Sequence, residues 1–246
     1  MTHPKILLRQ ASATIFAALL PCLGGHAQER CQAFNLETLP KREVRAVWLT
    51  TLSNLDWPKG YATTQEGIER QKRQLTEILD RYAEANINTV LFQARVRATT
   101  TYPSALEPWD RCLTGQEGRA PGYDPLRFAI EECHKRGMEI HAWLATIPCG
   151  PWTSLGCRRL RAKGLRLRKL DGAGYLDPSD ERVAPYLASV CAELTEKYDI
   201  DGIHLDYIRY PDGWPRATRR NGDTPDNRRA NINRIVRAIH EAVETR

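Results

Sequence analysis

The chain has 246 residues, 41% of them hydrophobic and 27% charged, with a formal charge of +6. This size and balance suit one globular domain with a sizeable core and exclude a wholly disordered or membrane-embedded chain. The positive excess is modest, and two of its members, Lys5 and Arg9, sit in an acid-free leader, so no nucleic-acid partner is expected.

Lys5 and Arg9 form a basic region ahead of the run Ala11–Leu23, which only Ser, Thr and Pro interrupt. Gly25-His26-Ala27 puts small residues at both specificity positions for cleavage after Ala27. Residues 1–27 are therefore expected to be a signal peptide, and the mature chain periplasmic or extracellular. The run is too short to span a bilayer, no later stretch spans one, and Leu20-Pro21 is a poor lipidation context for Cys22. Of the seven cysteines, Cys149 and Cys157 are placed to close a short loop in an oxidising compartment. Cys31 and Cys112 are placed to tie down an irregular extension over 28–42, and Cys133 and Cys191 read as buried thiols in amphipathic helices. No CxxC or CxxH spacing is present, and neither a metal nor a cofactor is expected.

Glu43–Thr50 is the first strand candidate, followed by a polar and aromatic loop, Ser53–Pro58, that reads as a binding loop. Ile68, Leu75, Ile78, Leu79 and Tyr82 then repeat with helical spacing. Ile87–Val96 is a second strand whose polar residues, Gln93 and Arg95, gather at its C-terminal end. The loop 97–123 is far longer than an ordinary connection and holds Tyr102, Glu107, Trp109 and Asp110. Asp124-Pro125 supplies an N-cap and a first-turn proline for a helix that stops at Gly137. Met138–Leu144 is the third strand, with His141 and Trp143 on one face. A second long loop, 148–176, contains the most basic stretch of the chain, 158–169, read as a solvated loop or short helix with anionic glycans as its more specific partner. Asp177-Pro178 repeats the cap-and-proline device before a helix ending near Tyr198. Residues 200–211 form the fourth strand, with Ile203, Leu205 and Tyr207 on an apolar face and Gly202, His204 and Asp206 on the other. Asn227–Glu244 is the last helix.

Four successive β-α units imply a parallel sheet with right-handed crossovers. No Gly-rich turn follows Trp48 or Arg95, so a doubly wound nucleotide-binding sheet fits less well than a (β/α)8 TIM-type barrel. Residues 43–246 would supply about the first four units of such a barrel, ending before its fifth strand. On that fold, active sites sit at the carboxyl ends of the strands. Trp48, Gln93, Arg95, His141, Trp143, His204 and Asp206 are expected to converge there, with Tyr207 and Arg209 on the rim.

Asp206 is the catalytic candidate. A carboxylate beneath an aromatic wall suits stabilisation of, or attack on, an oxocarbenium-like centre, which is one half of a glycosidase pair. Glu107, Asp110 and Asp212 are loop candidates for the other half. Two further readings remain open: a non-catalytic glycan-binding protein, and a metal-dependent hydrolase with His141, His204 and Asp206 as at most three ligands.

Arg45–Thr50, Asn88–Gln93, Pro121–Leu126, His134–Trp143 and Asp201–Pro211 resemble, in order, motifs of the glycosyl-hydrolase-like family 10. The resemblance implies a (β/α)8 barrel, export, and hydrolysis of glycosidic bonds in a polysaccharide, peptidoglycan included. It matches Asp206 to the acidic position at the end of strand four. A relative in that family carries a second Asp directly after this position and an Asn-Pro pair after the strand-three Trp; here those places hold Tyr207 and Ala145-Thr146.

Overall fold

Alternating apolar residues give the chain its sheet. In the computed structural model, which describes residues 43–215 and 223–244, four parallel strands make up the main sheet. These are β1 (Ala46–Leu49), β2 (Thr89–Arg95), β3 (Glu139–Ala145) and, after a three-stranded insertion, β7 (Gly202–Asp206), in the order β1-β2-β3-β7. The signal segment 1–27, the extension 28–42, Cys22 and Cys31 lie outside the described residues.

Helix starts follow the capping residues. Thr64 accepts the Gly67 N–H and opens α1 (Gln65–Glu84), while Asp124 accepts the Arg127 N–H ahead of Pro125 and opens the helix Pro125–Lys135. Each such cap contributes about 1 kcal/mol. Gly137 (φ 67°) closes the second helix in the left-handed region, where a Cβ would be strained. One start differs from expectation. The helix after Pro178 begins only at Val183, because Asp177 turns back onto Ser179 and Asp180 onto the Arg166 and Arg182 N–H groups.

One face of the sheet carries Val90, Phe92, Ile140, Ala142 and Leu144, all buried against the helices through Leu75, Leu79, Leu126, Leu187 and Val190. Within the expected binding loop Ser53–Pro58, Ser53, Leu55 and Asp56 are exposed, while Trp57 and Pro58 are buried. Trp57 is fully buried, donates its indole N–H to Gln71 O at 2.8 Å, and packs on Phe92. The long loop 97–123 is likewise packed down, with Thr99 to Tyr102 buried and a short helix, α2 (Arg111–Thr114), within it. In chain order α3 is then Pro125–Lys135.

The other face of the sheet is concave. Strands β1 and β7 lie at opposite edges, three strand spacings of about 4.8 Å apart along the sheet. Yet the rings of Trp48 and His204, one from each edge, approach to 5.8 Å and share an N–H···N bond of 3.3 Å. A flat sheet would hold them about 14 Å apart at the backbone, so the sheet curls into an arc.

The segment expected as a loop over 148–176 is an antiparallel sheet with a helix. It comprises β4 (Pro148–Pro151), α4 (Leu155–Ala162), β5 (Leu167–Leu170) and β6 (Ala173–Leu176), ordered β4-β6-β5. Its turn, Asp171-Gly172, has positive φ at both residues. Helices α5 (Val183–Lys197) and α6 (Pro225–Glu244) pack together behind β7. Cys112, Cys133, Cys149, Cys157 and Cys191 are buried free thiols. The expected Cys149–Cys157 bridge is thus replaced by a hydrogen bond from Cys157 Sγ to Cys149 O at 3.1 Å, and burial pushes the Cys149 thiol well up. Among the described residues no helix is long and apolar enough to cross a membrane.

Candidate active site

At the carboxyl ends of the four parallel strands the sheet opens into a cavity of about 320 Å³. Asp206 and Tyr207 enter it from the end of β7, Trp143 from β3, Gln93 from β2, and Thr50 and Leu52 from the loop after β1. The insertion closes it from above with Pro148 and Gly150 of β4 and Gly174 and Tyr175 of β6.

Asp206 is held at both oxygens. Trp143 Nε1 donates to Oδ2 at 3.0 Å and the Tyr207 backbone N–H to Oδ1 at 2.7 Å. Just beyond this bond Tyr207 adopts φ 51°, a left-handed conformation that turns the chain out of the strand direction. Tyr207 therefore does not continue the apolar face with Ile203 and Leu205. It is 51% exposed and stands at the cavity mouth. The Asp206 carbonyl is fixed too, by the Thr146 N–H (2.9 Å) and hydroxyl (2.8 Å). An acid positioned by so many donors presents its remaining lone pairs to the cavity in one geometry, the condition for electrostatic or nucleophilic work.

Gln93 lines the same cavity, but its carbonyl oxygen accepts from Thr50 Oγ1 (2.7 Å), Thr51 N (2.9 Å) and Leu52 N (3.0 Å). It ties the β1 loop to β2 and shapes the wall. Arg209 lies next door, 3.1 Å from Asp212 and over the Tyr207 ring, in a smaller cavity of about 80 Å³. Trp48 and His204 meet on the concave face but do not line the Asp206 cavity.

Two more expected residues, Arg95 and His141, lie outside the cavity lining. Arg95 is fully buried, because the β2–β3 register slips between Gln93 and Arg95: Gln93 faces Trp143, but Arg95 faces Leu144. The extra residue turns Arg95 away from the cavity. There it pairs with Glu107 through two bonds of 2.8 Å and donates to the carbonyls of Ala145 and Thr146. Burial opposes the guanidinium charge, but Glu107 outweighs it and the Arg95 pKa rises. Glu107 also accepts from the Tyr186 hydroxyl (2.7 Å), so it is not a free catalytic acid. His141 sits two residues earlier on β3, level with Leu91 and Gly202, below the cavity. Its ring lies across β7, where a Cβ on Gly202 would approach to 2.9 Å, and its Nε2 is 3.5 Å from Glu139.

The other acids named as partners are also accounted for. Asp110 caps α2 and accepts from Thr99 Oγ1 at 2.5 Å, and Asp212 is exposed and paired with Arg209. Asp206 is thus the one carboxylate lining the cavity among the described residues. In the same residues no group of three or more His, Cys, Asp or Glu is arranged to hold a metal ion.

Arg97, in the loop after β2, lines the cavity without having been singled out in sequence, and so does Tyr175 of the hairpin. For Tyr175 the signal was present: Asp171-Gly172 between short alternating runs is a strong two-residue hairpin turn.

Comparison with known proteins agrees with this geometry. The family model described as Glycosyl hydrolase-like 10 matches residues 43–243. The glycosyl hydrolase YngK of Bacillus subtilis is 30% identical over 231 residues, covering 82% of this chain and 42% of that protein. The glycosyl hydrolase DigH of Escherichia coli K12 is 32% identical over 184 residues, covering 68% of this chain and 42% of its own length. The chain therefore spans less than half the length of the curated relatives it matches. Among solved structures, an exo-β-N-acetylglucosaminidase from Vibrio harveyi superposes with TM-score 0.52 at 12% identity, over 84% of this chain and 34% of that one. That likeness concerns the fold, which is a partial (β/α) barrel.

Proposed function

Because this chain belongs to the glycosyl hydrolase-like 10 family, we propose that it is part of an exported glycoside hydrolase that cleaves O-glycosidic bonds in a polysaccharide, with Asp206 as an active-site carboxylate. Peptidoglycan or another cell-wall or extracellular glycan is the substrate class. The observation that carries the reading is the placement of Asp206. It is the acid at the cavity lining, oriented by Trp143 and by the Tyr207 amide, at the strand end where barrel enzymes do their chemistry.

A sugar ring entering the cavity would meet Trp143, Tyr175 and Tyr207 on its apolar faces and Asp206 at its reacting carbon. As the glycosidic bond breaks, positive charge grows on C1 and the ring oxygen. A carboxylate already fixed by two donors stabilises that charge, or bonds to C1, without reorganising. Export is supported by the basic region, apolar run and Gly25-His26-Ala27 site at the N-terminus. Mass determination of the mature N-terminus after expression with secretion tests it: a chain beginning at Gln28 is expected, and one retaining Met1 refutes export.

One observation favours a second reading. Glycosidases use two carboxyl groups, and this cavity shows one. A non-catalytic glycan-binding protein needs only the walls. Reducing-end release from purified peptidoglycan and from chitin, measured beside polysaccharide pull-down, separates the two. Hydrolysis is expected for the whole hydrolase of which this chain is part, and a loss of at least ~100-fold when it carries Asp206→Asn, with pull-down retained. Pull-down without any release supports the binding protein, and full release by Asp206→Asn refutes the assignment of Asp206.

A further inference from the structure

The basic stretch 158–169 does not act as one patch. Arg161 stacks over Trp152 at 4.1 Å and donates to its carbonyl, and Lys163 donates to Leu106 O. Arg158 and Arg159 stay on the exposed side of α4. Arg166 and Arg168, at the start of the hairpin, instead line a second cavity of about 210 Å³, the volume of roughly seven liquid waters. Its walls also include the carboxylates of Asp177 and Asp223, Tyr210 and Trp214 from the segment after β7, and Asn231 of α6.

This cavity adjoins the Asp206 site. Arg168 pairs directly with Tyr175 across β5 and β6, so both side chains stand on one face of the hairpin. Tyr175 in turn lines both the Asp206 cavity and the small cavity of Tyr207 and Arg209. Tyr210 follows Arg209 in the chain. The three cavities thus succeed one another along the strand ends.

The lining selects a charge. The Arg168 guanidinium lies over the Trp214 ring at 4.7 Å and that of Arg228 over Tyr210 at 4.9 Å, so cations already occupy ring faces that would otherwise stack on a neutral sugar. Recognition passes to N–H donors. Asp223 is bridged by Arg228 at 2.5 Å, and Asp177 has Arg166 at 3.7 Å as well as the Ser179 hydroxyl. Arg228, which stands outside the lining, thus holds Asp223 and Arg166 faces Asp177, so among the described residues Arg168 is the lining guanidinium that makes no ion pair. A stacked guanidinium keeps its donor fork in one orientation, and that fork matches a carboxylate. The two acids disfavour a multiply charged strand such as nucleic acid. We infer that this cavity is a subsite for a carboxylate-bearing sugar unit of an acidic polysaccharide whose neighbouring unit reaches the Asp206 cavity. The inference rests on the reading of the chain as one that handles polysaccharide, but not on its being a catalyst.

The test is affinity electrophoresis of the Asp206→Asn chain, which prevents turnover, at about 0.15 M salt, where exposed charges are largely screened. The probes are carboxymethyl-chitin and glycol-chitin, one backbone with an anionic or a neutral substituent. Carboxymethyl-chitin is expected to bind roughly tenfold tighter, and Arg168→Gln to abolish that preference. Arg158→Gln removes the same charge from the same basic stretch outside the cavity, and should keep the preference. Equal retardation by both polymers, including none by either, overturns the subsite. So does a loss in Arg158→Gln as large as that in Arg168→Gln, which would mean diffuse charge. Absence of hydrolysis by the unmutated whole hydrolase would refute catalysis and leave these outcomes unchanged.

Discussion

Replacing Glu107 by Gln removes one charge from a pair that has no access to water. The Arg95 and Glu107 side chains are 0% and 1% exposed and are joined by two bonds of 2.8 Å. With charges about 4 Å apart and an effective dielectric constant near 20, their attraction is roughly 4 kcal/mol. Gln keeps the shape, but its amide nitrogen then faces a guanidinium donor, and a buried cation is left without compensation. A cost of about 3–5 kcal/mol is expected. For a chain of this size that lowers the midpoint of thermal unfolding by roughly 6–20 °C. Urea unfolding followed by far-UV circular dichroism, with an unchanged slope, measures it. The double variant Arg95→Met/Glu107→Leu, which removes both charges, should be more stable than Glu107→Gln alone. A single-variant cost below about 1 kcal/mol would mean that Arg95 is solvated. The slipped register would then be wrong, and Arg95 would point into the cavity as strict alternation along β2 predicts.

Asp180, whose side chain is 4% exposed, is held down to about 2: burial raises its pKa, but the Arg182 guanidinium and the Arg166 and Arg182 amides lower it more. A lowered folded pKa gives stability that is present above about pH 4 and lost as pH falls toward 2, so Asp180→Asn should cost about 1–2 kcal/mol at pH 7 and flatten acid unfolding across that window. Denaturation midpoints at pH 7, 4 and 2.5 check this, and an unaltered acid limb contradicts it. Gly174→Ala places a Cβ 2.5 Å from Cys157 Sγ beneath the cavity wall, so it should destabilise the chain, and Cys157→Ala should restore part of the loss. Additive thermal shifts for this pair would show that the contact is not the cause.

Much of the barrel was legible because each strand and helix carries a local pattern. Asp124-Pro125 and Gly137 mark helix ends by backbone chemistry that acts within a few residues. Ile140, Ala142 and Leu144 mark the helix-facing side of β3 by alternation. The site was less legible, because it forms where those patterns break. Arg95 shares parity with Gln93 in sequence, and only pairing with β3, about 50 residues away, reveals the slip. His141 and Trp143 share a face, but their heights against Gly202 and His204 depend on the register of β7, which no local rule supplies. Trp57 looked like a loop aromatic because its partner, Gln71 O, lies on a helix 14 residues further along the chain. The hairpin at Asp171-Gly172 was a different case. It carried its own signal, masked by the density of Arg and Lys around it.

The ends of the four parallel strands explain why one acid becomes available while its neighbours do not. β1 ends in a loop whose amides converge on Gln93, which consumes that side chain's acceptor. β2 ends in the slip that removes Arg95 to the protein interior, where its N–H groups hold the Ala145 and Thr146 carbonyls. Thr146, fixed in that way at the end of β3, then grips the Asp206 carbonyl with both its amide and its hydroxyl. Asp206 is thereby locked at its backbone by β3 and at its side chain by Trp143 and the Tyr207 amide. The buried Glu107–Arg95 pair therefore acts on the site through two carbonyls and one threonine, without touching the cavity. Charged groups that looked like parts of the chemistry are its mounting, and the one left facing the opening is the carboxylate they position.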